Sequence, residues 1–307
     1  MMDTVINPIL LDYIVCPDCK GGLIIRDKEL NCSLCGNHFK VTNGIPYLLP
    51  KETDSAHFEE ETNLAKMMKN KSQTKKDVFS SQQWSLFKEE FWNTVEKETT
   101  KNRTSFINIG CGYDFHFKKI SNPDNVFINF DLIPEMLTNL TEEHSARYCV
   151  LGDINSLPFK KDILDYVVCI DVIHHEYQRI SSILHEYFGL LKPGGKLFLA
   201  DPNAWGLFQF YKSILLPKPV HGFLREQFHR IKKSDHRPAE YEFPTNVFEV
   251  RNILSNIGFE EITAYPINSY PNVDEAKHKI YKYFQKNTHI ATYHNFHYVI
   301  SARKPVN

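Results

Sequence analysis

No apolar run in the sequence approaches the ~18 residues that a bilayer-crossing helix needs. The opening residues, Met1 to Leu11, hold Asp3 where a secretory signal would hold basic residues. Both absences predict a cytoplasmic protein with no membrane span. Excess charge is missing too: 36 Lys and Arg meet 37 Asp and Glu, a formal net charge of −1, which argues against a globally basic nucleic-acid binder. Between Lys51 and Asn122 there is no proline, and no glycine apart from Gly110 and Gly112, so residues 51–100 read as a charge-rich helical linker or lid. Internal repeats and low-complexity tracts are absent as well. What remains, 42% hydrophobic and 24% charged over 307 residues, is the composition of a soluble globular protein with two domains, or one with appendages.

Cysteine is sparse and odd in number, which fits metal binding plus free thiols better than a disulfide framework. Cys111, Cys149 and Cys169 each sit alone in apolar context. The other four are paired: Cys16-Pro17-Asp18-Cys19 and Cys32-Ser33-Leu34-Cys35, with twelve residues between the pairs. Two such knuckles place four thiolates about one Zn²⁺, and a shell filled by four cysteines leaves no position for a reacting water, so the metal is structural. Glycines at 21, 22 and 36 permit the tight turns after each pair.

From Phe106 onward, strand-like runs (Phe106–Ile109, Val126–Phe130, Tyr148–Leu151, Tyr166–Ile170, Gly195–Ala200) alternate with stretches long enough for crossover helices. Near-continuous hydrophobicity in each run marks strands buried on both faces, and the alternation predicts a doubly wound parallel sheet. A helix at Asn246–Asn256, stopped by Gly258, leads to strands near Phe259–Tyr265 and Thr292–Ser301. The first run enters Gly110-Cys111-Gly112, where missing side chains let backbone approach a nucleoside-bearing ligand. Asp131 ends the next run, placed to accept from both ribose hydroxyls, and Asp153 follows the third, placed for an adenine amino group with Ile154 packed on the ring. A nicotinamide site would read Gly-x-Gly-x-x-Gly, but Tyr113, Asp114 and Phe115 supply no third glycine.

These motifs, with Asp165 to His175 and Leu190-Leu191-Lys192-Pro193-Gly194-Gly195, resemble the class I S-adenosylmethionine methyltransferases over roughly residues 100–265. The resemblance implies a Rossmann-like, doubly wound, seven-stranded sheet with S-adenosyl-L-methionine held by Gly110, Cys111, Gly112, Tyr113, Asp131, Leu132, Asp153, Ile154, Ile170 and Asp171. The family usually has glycine where Asp114 stands. Residues 1–50, ending in Gly44-Ile45-Pro46-Tyr47-Leu48-Leu49-Pro50, resemble the zinc-ribbon family that activates RNA and protein methyltransferases. The implied layout is a ribbon over 1–50, a linker over 51–100, and a methyltransferase domain over 101–307 with an acceptor-covering insertion at 204–245.

Methyl transfer from a sulfonium is an in-line displacement, so the protein chiefly aligns the acceptor and, for a hydroxyl, removes its proton. His175, and after it His174, follow the fourth strand at the sheet edge where such folds bind ligands, and are the candidate bases. Each could equally be scaffolding. The Asn/Asp-Pro-Pro-Tyr/Phe signature of amino-directed base methyltransferases is absent; Asp201-Pro202-Asn203 and the aromatic, His-rich insertion point to a small-molecule acceptor reached through oxygen or nitrogen. Arg225, Arg230, Lys232, Lys233 and Arg237 keep an RNA acceptor open, and the irregular Tyr113-Asp114 loop keeps open a binding protein without turnover.

Overall fold

The computed structural model describes residues 6–53, 75–99, 103–114, 116–120, 124–142, 146, 148–204, 245–267, 292–293 and 297–306. Most of the insertion expected at 204–245, with its aromatic and basic residues, lies outside them. The N-terminal unit has strands β1 (Leu23–Arg26), β2 (Glu29–Cys32), β3 (His38–Phe39), β4 (Val41–Thr42) and β5 (Ile45–Leu48). The larger unit has β6 (Ser105–Ile109), β7 (Val126–Asp131), β8 (Tyr148–Gly152), β9 (Leu164–Ile170), β10 (Leu191–Pro202), β11 (Glu260–Ala264) and β12 (His297–Arg303). Four α-helices are described: α1 (Lys75–Glu98), α2 (Pro134–Glu142), α3 (Ile180–Leu190) and α4 (Val247–Ile257). None is long and apolar enough to cross a membrane.

Seven strands run in the order β11-β12-β10-β9-β6-β7-β8, with β6 through β10 parallel and β12 antiparallel to both its neighbours. The expected seven-stranded sheet is thus present, and β5 and β4 extend it to nine on the β8 side. Side chains alternate across the sheet: Ile107, Ile128, Val150, Val167 and Leu199 point to one core, Phe106, Phe127, Cys149, Val168 and Phe198 to the other. Phe87, Phe91, Trp92 and Val95 of α1, with Leu137 and Leu140 of α2, cover the second face. Helix α4 begins and ends as its sequence dictates: Asn246 accepts from the Glu249 N–H at 2.8 Å, and Gly258 at φ 108° supplies the left-handed stop.

Two expectations are corrected. Crossover α-helices are missing among the described residues between β6 and β7, where only a 3₁₀ turn at His116–Lys119 stands, and between β8 and β9, which has one at Ile154–Ser156. The last strand begins at His297; Thr292 and Tyr293 are helical. In the β8–β9 gap the first core is completed by the N-terminal unit, whose Ile6, Leu10, Ile14, Leu23 and Leu48 pack with Tyr148, Val150, Leu157 and Phe159. The backbone seals this seam: the Val15 N–H donates to Pro158 O at 2.9 Å, the Lys160 N–H to Tyr13 O at 2.8 Å, and β5 pairs parallel with β8 through Tyr47–Leu151 and Leu48–Gly152.

One continuous core predicts one cooperative unit. Ile14→Ala, which empties a fully buried site in the seam, is expected to destabilise the whole chain by about 2–5 kcal/mol, with calorimetry still showing a single transition. Separate melting of the N-terminal unit would contradict the shared core.

Candidate active site

Parallel strands all end on one edge, and the strand order reverses between β6 and β9, the point at which open α/β sheets leave a crevice. A cleft of about 270 Å³ opens there. Nine of the ten residues expected to hold the cofactor line it: Gly110, Cys111, Gly112, Asp131, Leu132, Asp153, Ile154, Ile170 and Asp171. Tyr113 does not. His175 lines the cleft; His174 stands behind it, their rings 4.1 Å apart.

The carboxylate of Asp131 organises the floor, accepting from the Gly112 N–H at 2.8 Å and the Ile133 N–H at 2.9 Å. Gly110, at φ 63°, has the left-handed backbone that glycine tolerates, and a Cβ there would collide with Val172. Asp153 caps the next turn, accepting from the Asn155 N–H at 2.8 Å through Oδ1. It therefore has the capping role open to any such aspartate while its side chain still faces the cleft. Asp171 is a non-glycine residue at φ 57°, the strained left-handed backbone that concentrates at functional sites. Burial pushes its carboxyl up, but His297, 3.0 Å away, together with His174 and Lys88, outweighs this and holds it below the usual carboxylate range.

Asp114, where the family places glycine, is buried and serves as a clamp. It accepts from Trp92 Nε1 at 2.8 Å and from the His116 N–H at 2.9 Å, with His116 Nδ1 at 2.8 Å and Lys88 Nζ at 3.8 Å. Helix α1 is thereby tied to the glycine loop. Burial raises the Asp114 carboxyl, yet Lys88 and the hydrogen bonds from His116 and Trp92 prevail and lower it. Behind the cleft, His174 Nδ1 lies 3.0 Å from Oδ1 of the fully buried Asp201. Thr245 donates to the other Asp201 oxygen at 3.3 Å and meets the Tyr298 hydroxyl at 2.5 Å.

The four paired cysteines also converge. Their Sγ atoms all lie within 4.8 Å of one another, with Cys16–Cys35 at 3.7 Å and Cys19–Cys32 at 3.4 Å. Tetrahedral Zn–S bonds of ~2.3 Å put sulfurs ~3.8 Å apart, so the cluster has the size of a zinc shell. The Leu34 and Cys35 N–H groups point at Cys32 Sγ at 3.4 and 3.5 Å, favouring its thiolate. Cys111, Cys149 and Cys169 are buried free thiols.

Sequence reading missed Lys88, Met136 and Glu176 as cleft residues and Asp201 and His297 as partners of the site. Lys88 was hidden inside an apolar helical stripe, and Asp201 was read within Asp201-Pro202-Asn203 as a pointer to the acceptor, not as the partner of His174.

Comparison with known proteins agrees with this layout. Residues 107–199 match the family model for a methyltransferase domain. A UPF0434 protein of Azotobacter vinelandii is 39% identical over 56 residues, 92% of that protein and 18% of this chain. One of Nitrosospira multiformis is 40% identical over 57 residues, 93% of its length and 18% of this chain. A chain of the solved complex between the Haloferax volcanii Trm112 methyltransferase activator and the methyltransferase named with it superimposes with a TM-score of 0.50 at 15% identity, covering 81% of this chain and 96% of that one. At that identity the likeness speaks for the fold.

Two outcomes are expected. The purified chain should hold one zinc per molecule by colorimetric assay, and a strong chelator should lower its melting temperature, because metal binding here is folding energy. Asp114→Asn should cost about 2–4 kcal/mol at pH 7 by denaturant unfolding, through lost charge-assisted bonds. A carboxyl whose folded-state value is depressed stabilises above its unfolded value and loses that contribution as pH falls through the folded one. The penalty should therefore persist to about pH 4 and shrink below it.

Proposed function

Because this chain is a class I S-adenosylmethionine-dependent methyltransferase whose N-terminal segment belongs to the UPF0434 family, we propose that it methylates an oxygen or nitrogen of a small-molecule acceptor of secondary-metabolite, sugar or lipid-like kind. One observation carries the acceptor class. Beyond the acids assigned to the cofactor, Glu176 lines the cleft beside His175 in sequence. A carboxylate there disfavours a polyphosphate backbone and favours a small neutral or cationic acceptor.

The residues of the cleft fit the cofactor. Gly110 and Gly112 leave a cradle that a Cβ at Gly110 would fill, and Asp131 and Asp153 present carboxylates at successive strand ends to ribose hydroxyls and an adenine amino group, with Leu132, Ile154 and Ile170 as apolar walls. When bound, S-adenosylmethionine supplies an electrophilic methyl group on a sulfonium. The chain's own part is to orient the acceptor and take its proton. His175, which lines the cleft, is the better placed base of the two candidates, and His174, its ring 4.1 Å away with Nδ1 3.0 Å from the buried Asp201 carboxylate, backs it from behind. The ribbon, sealed onto the loop that follows Asp153 by Ser156 Oγ donating to Pro17 O at 2.8 Å and Lys20 Nζ to Leu157 O at 3.1 Å, supports the cofactor loop from within the same polypeptide.

The acceptor class is tested by following S-adenosylhomocysteine release with an RNA-free metabolite extract and, separately, with total RNA. Turnover on the extract is expected. Turnover confined to RNA, with steeply salt-dependent RNA binding, would overturn the reading in favour of a base methyltransferase. For the base, His175→Ala should lower kcat about 10²-fold or more while cofactor affinity holds, with a smaller kcat effect for His174→Asn. The reverse ranking would reassign the role to His174.

A further inference from the structure

The cleft is lined by Asp131 and Asp153, the acids read as holding the adenosyl group, and also by Gly110, Asp171, His175 and Lys88. Four of the lining side chains are acids, and Lys88 is the only lysine or arginine among the described lining residues. A bound S-adenosylmethionine carries two positive centres, which the acids suit, and one carboxylate, which they would repel. That carboxylate needs a cation at the end of the cleft away from the adenosine.

We propose that Lys88 is the residue that receives the cofactor's carboxylate, so that recognition of the amino-acid arm comes from helix α1 and not from the sheet. The inference rests on the cofactor reading of this cleft and deepens it. Several observations place the lysine for the task. Phe87, Phe91, Trp92 and Val95 are fully buried, which fixes the rotation of α1 about its axis and directs the neighbouring position 88 to the cleft flank. Two anchors hold that rotation from either side of the lysine: Phe87 stacks on His297 at 4.8 Å, and Trp92 Nε1 donates to Asp114 at 2.8 Å. Only 17% of the Lys88 side chain is exposed, and its Nζ stands 3.8 Å from Asp114 Oδ2. Its field also reaches Asp171 and Cys111, which places it at the glycine-loop end of the cleft.

Asp114 thereby acquires a purpose where the family has glycine. By holding both Trp92 and Lys88, it sets the ammonium at the mouth of the glycine loop before any ligand arrives, so that little side-chain freedom is lost on binding.

The test uses the full zinc-loaded chain and three ligands that share the adenosyl group: S-adenosylmethionine, S-adenosylhomocysteine and 5′-methylthioadenosine, the last without the amino-acid arm. Titration calorimetry is expected to show Lys88→Met weakening the first two about tenfold or more, while 5′-methylthioadenosine binds as it does to wild type. Lys88→Arg should recover most of the loss. Equal weakening of all three ligands by Lys88→Met, or no weakening of any, would overturn the proposal and leave Lys88 in a structural role beside Asp114. Should the wild-type chain bind none of the three, the cofactor reading itself fails and this inference with it. A melting curve for each variant confirms that the folded chain is being titrated.

Discussion

The two N–H groups accepted by Asp131 hold the mouth of the sheet together. Strand β7 stops at this residue, and from there its carboxylate reaches back to Gly112 in the loop after β6 and forward to Ile133 at the start of α2. Both donors are backbone, so the loop's path is set by geometry that no side-chain change elsewhere can easily replace. Around this fixed point, the loops after β8 and β9 bring Asp153 and Asp171 to the same crevice. A reacting site on an open sheet requires this kind of convergence, because four separate chain segments must each be held to within a fraction of an ångström.

Much of this was readable beforehand. Continuous apolar runs located β6 to β10, because a strand buried on both faces has no polar alternation, whereas β5, which joins β8 in parallel, was not foreseen as part of that sheet. Asn246 and Gly258 delimited α4 through capping chemistry that is local by nature. The Cys-x-x-Cys pairs announced the metal cluster because ligand spacing is written along the chain. What escaped reading is what depends on packing between distant segments. The face expected to be covered by crossover helices is covered by the ribbon, and nothing in residues 153–163 states that another segment will take a helix's place. Lys88 meets the cleft, and Asp201 meets His174, only through the tertiary placement of α1 and β10. The carboxylate that meets His174 has the same origin, since Asp201 is 27 residues further along.

The ribbon's relation to the methyltransferase unit is closer than a tether between domains. Main-chain hydrogen bonds, a parallel strand pair and a common apolar core join them, and the contacts fall on the segment from Leu151 to Lys160, whose Gly152, Asp153 and Ile154 line the cleft. A structural metal some distance from the chemistry thus has a mechanical route to it. The route is made of packed backbone and needs no moving part.

The pairing of β5 with β8 also constrains how the protein can be made. During synthesis the ribbon leaves the ribosome first and can close on its metal at once, but β5 offers an unsatisfied backbone edge until β8 follows, with Leu48 waiting for Gly152. Nascent chains would expose that edge for the time it takes to translate the intervening hundred or so residues, a window in which unpaired strands invite wrong partners. Pro46 within β5 and Pro50 just beyond it lack N–H donors and so blunt that edge during the wait.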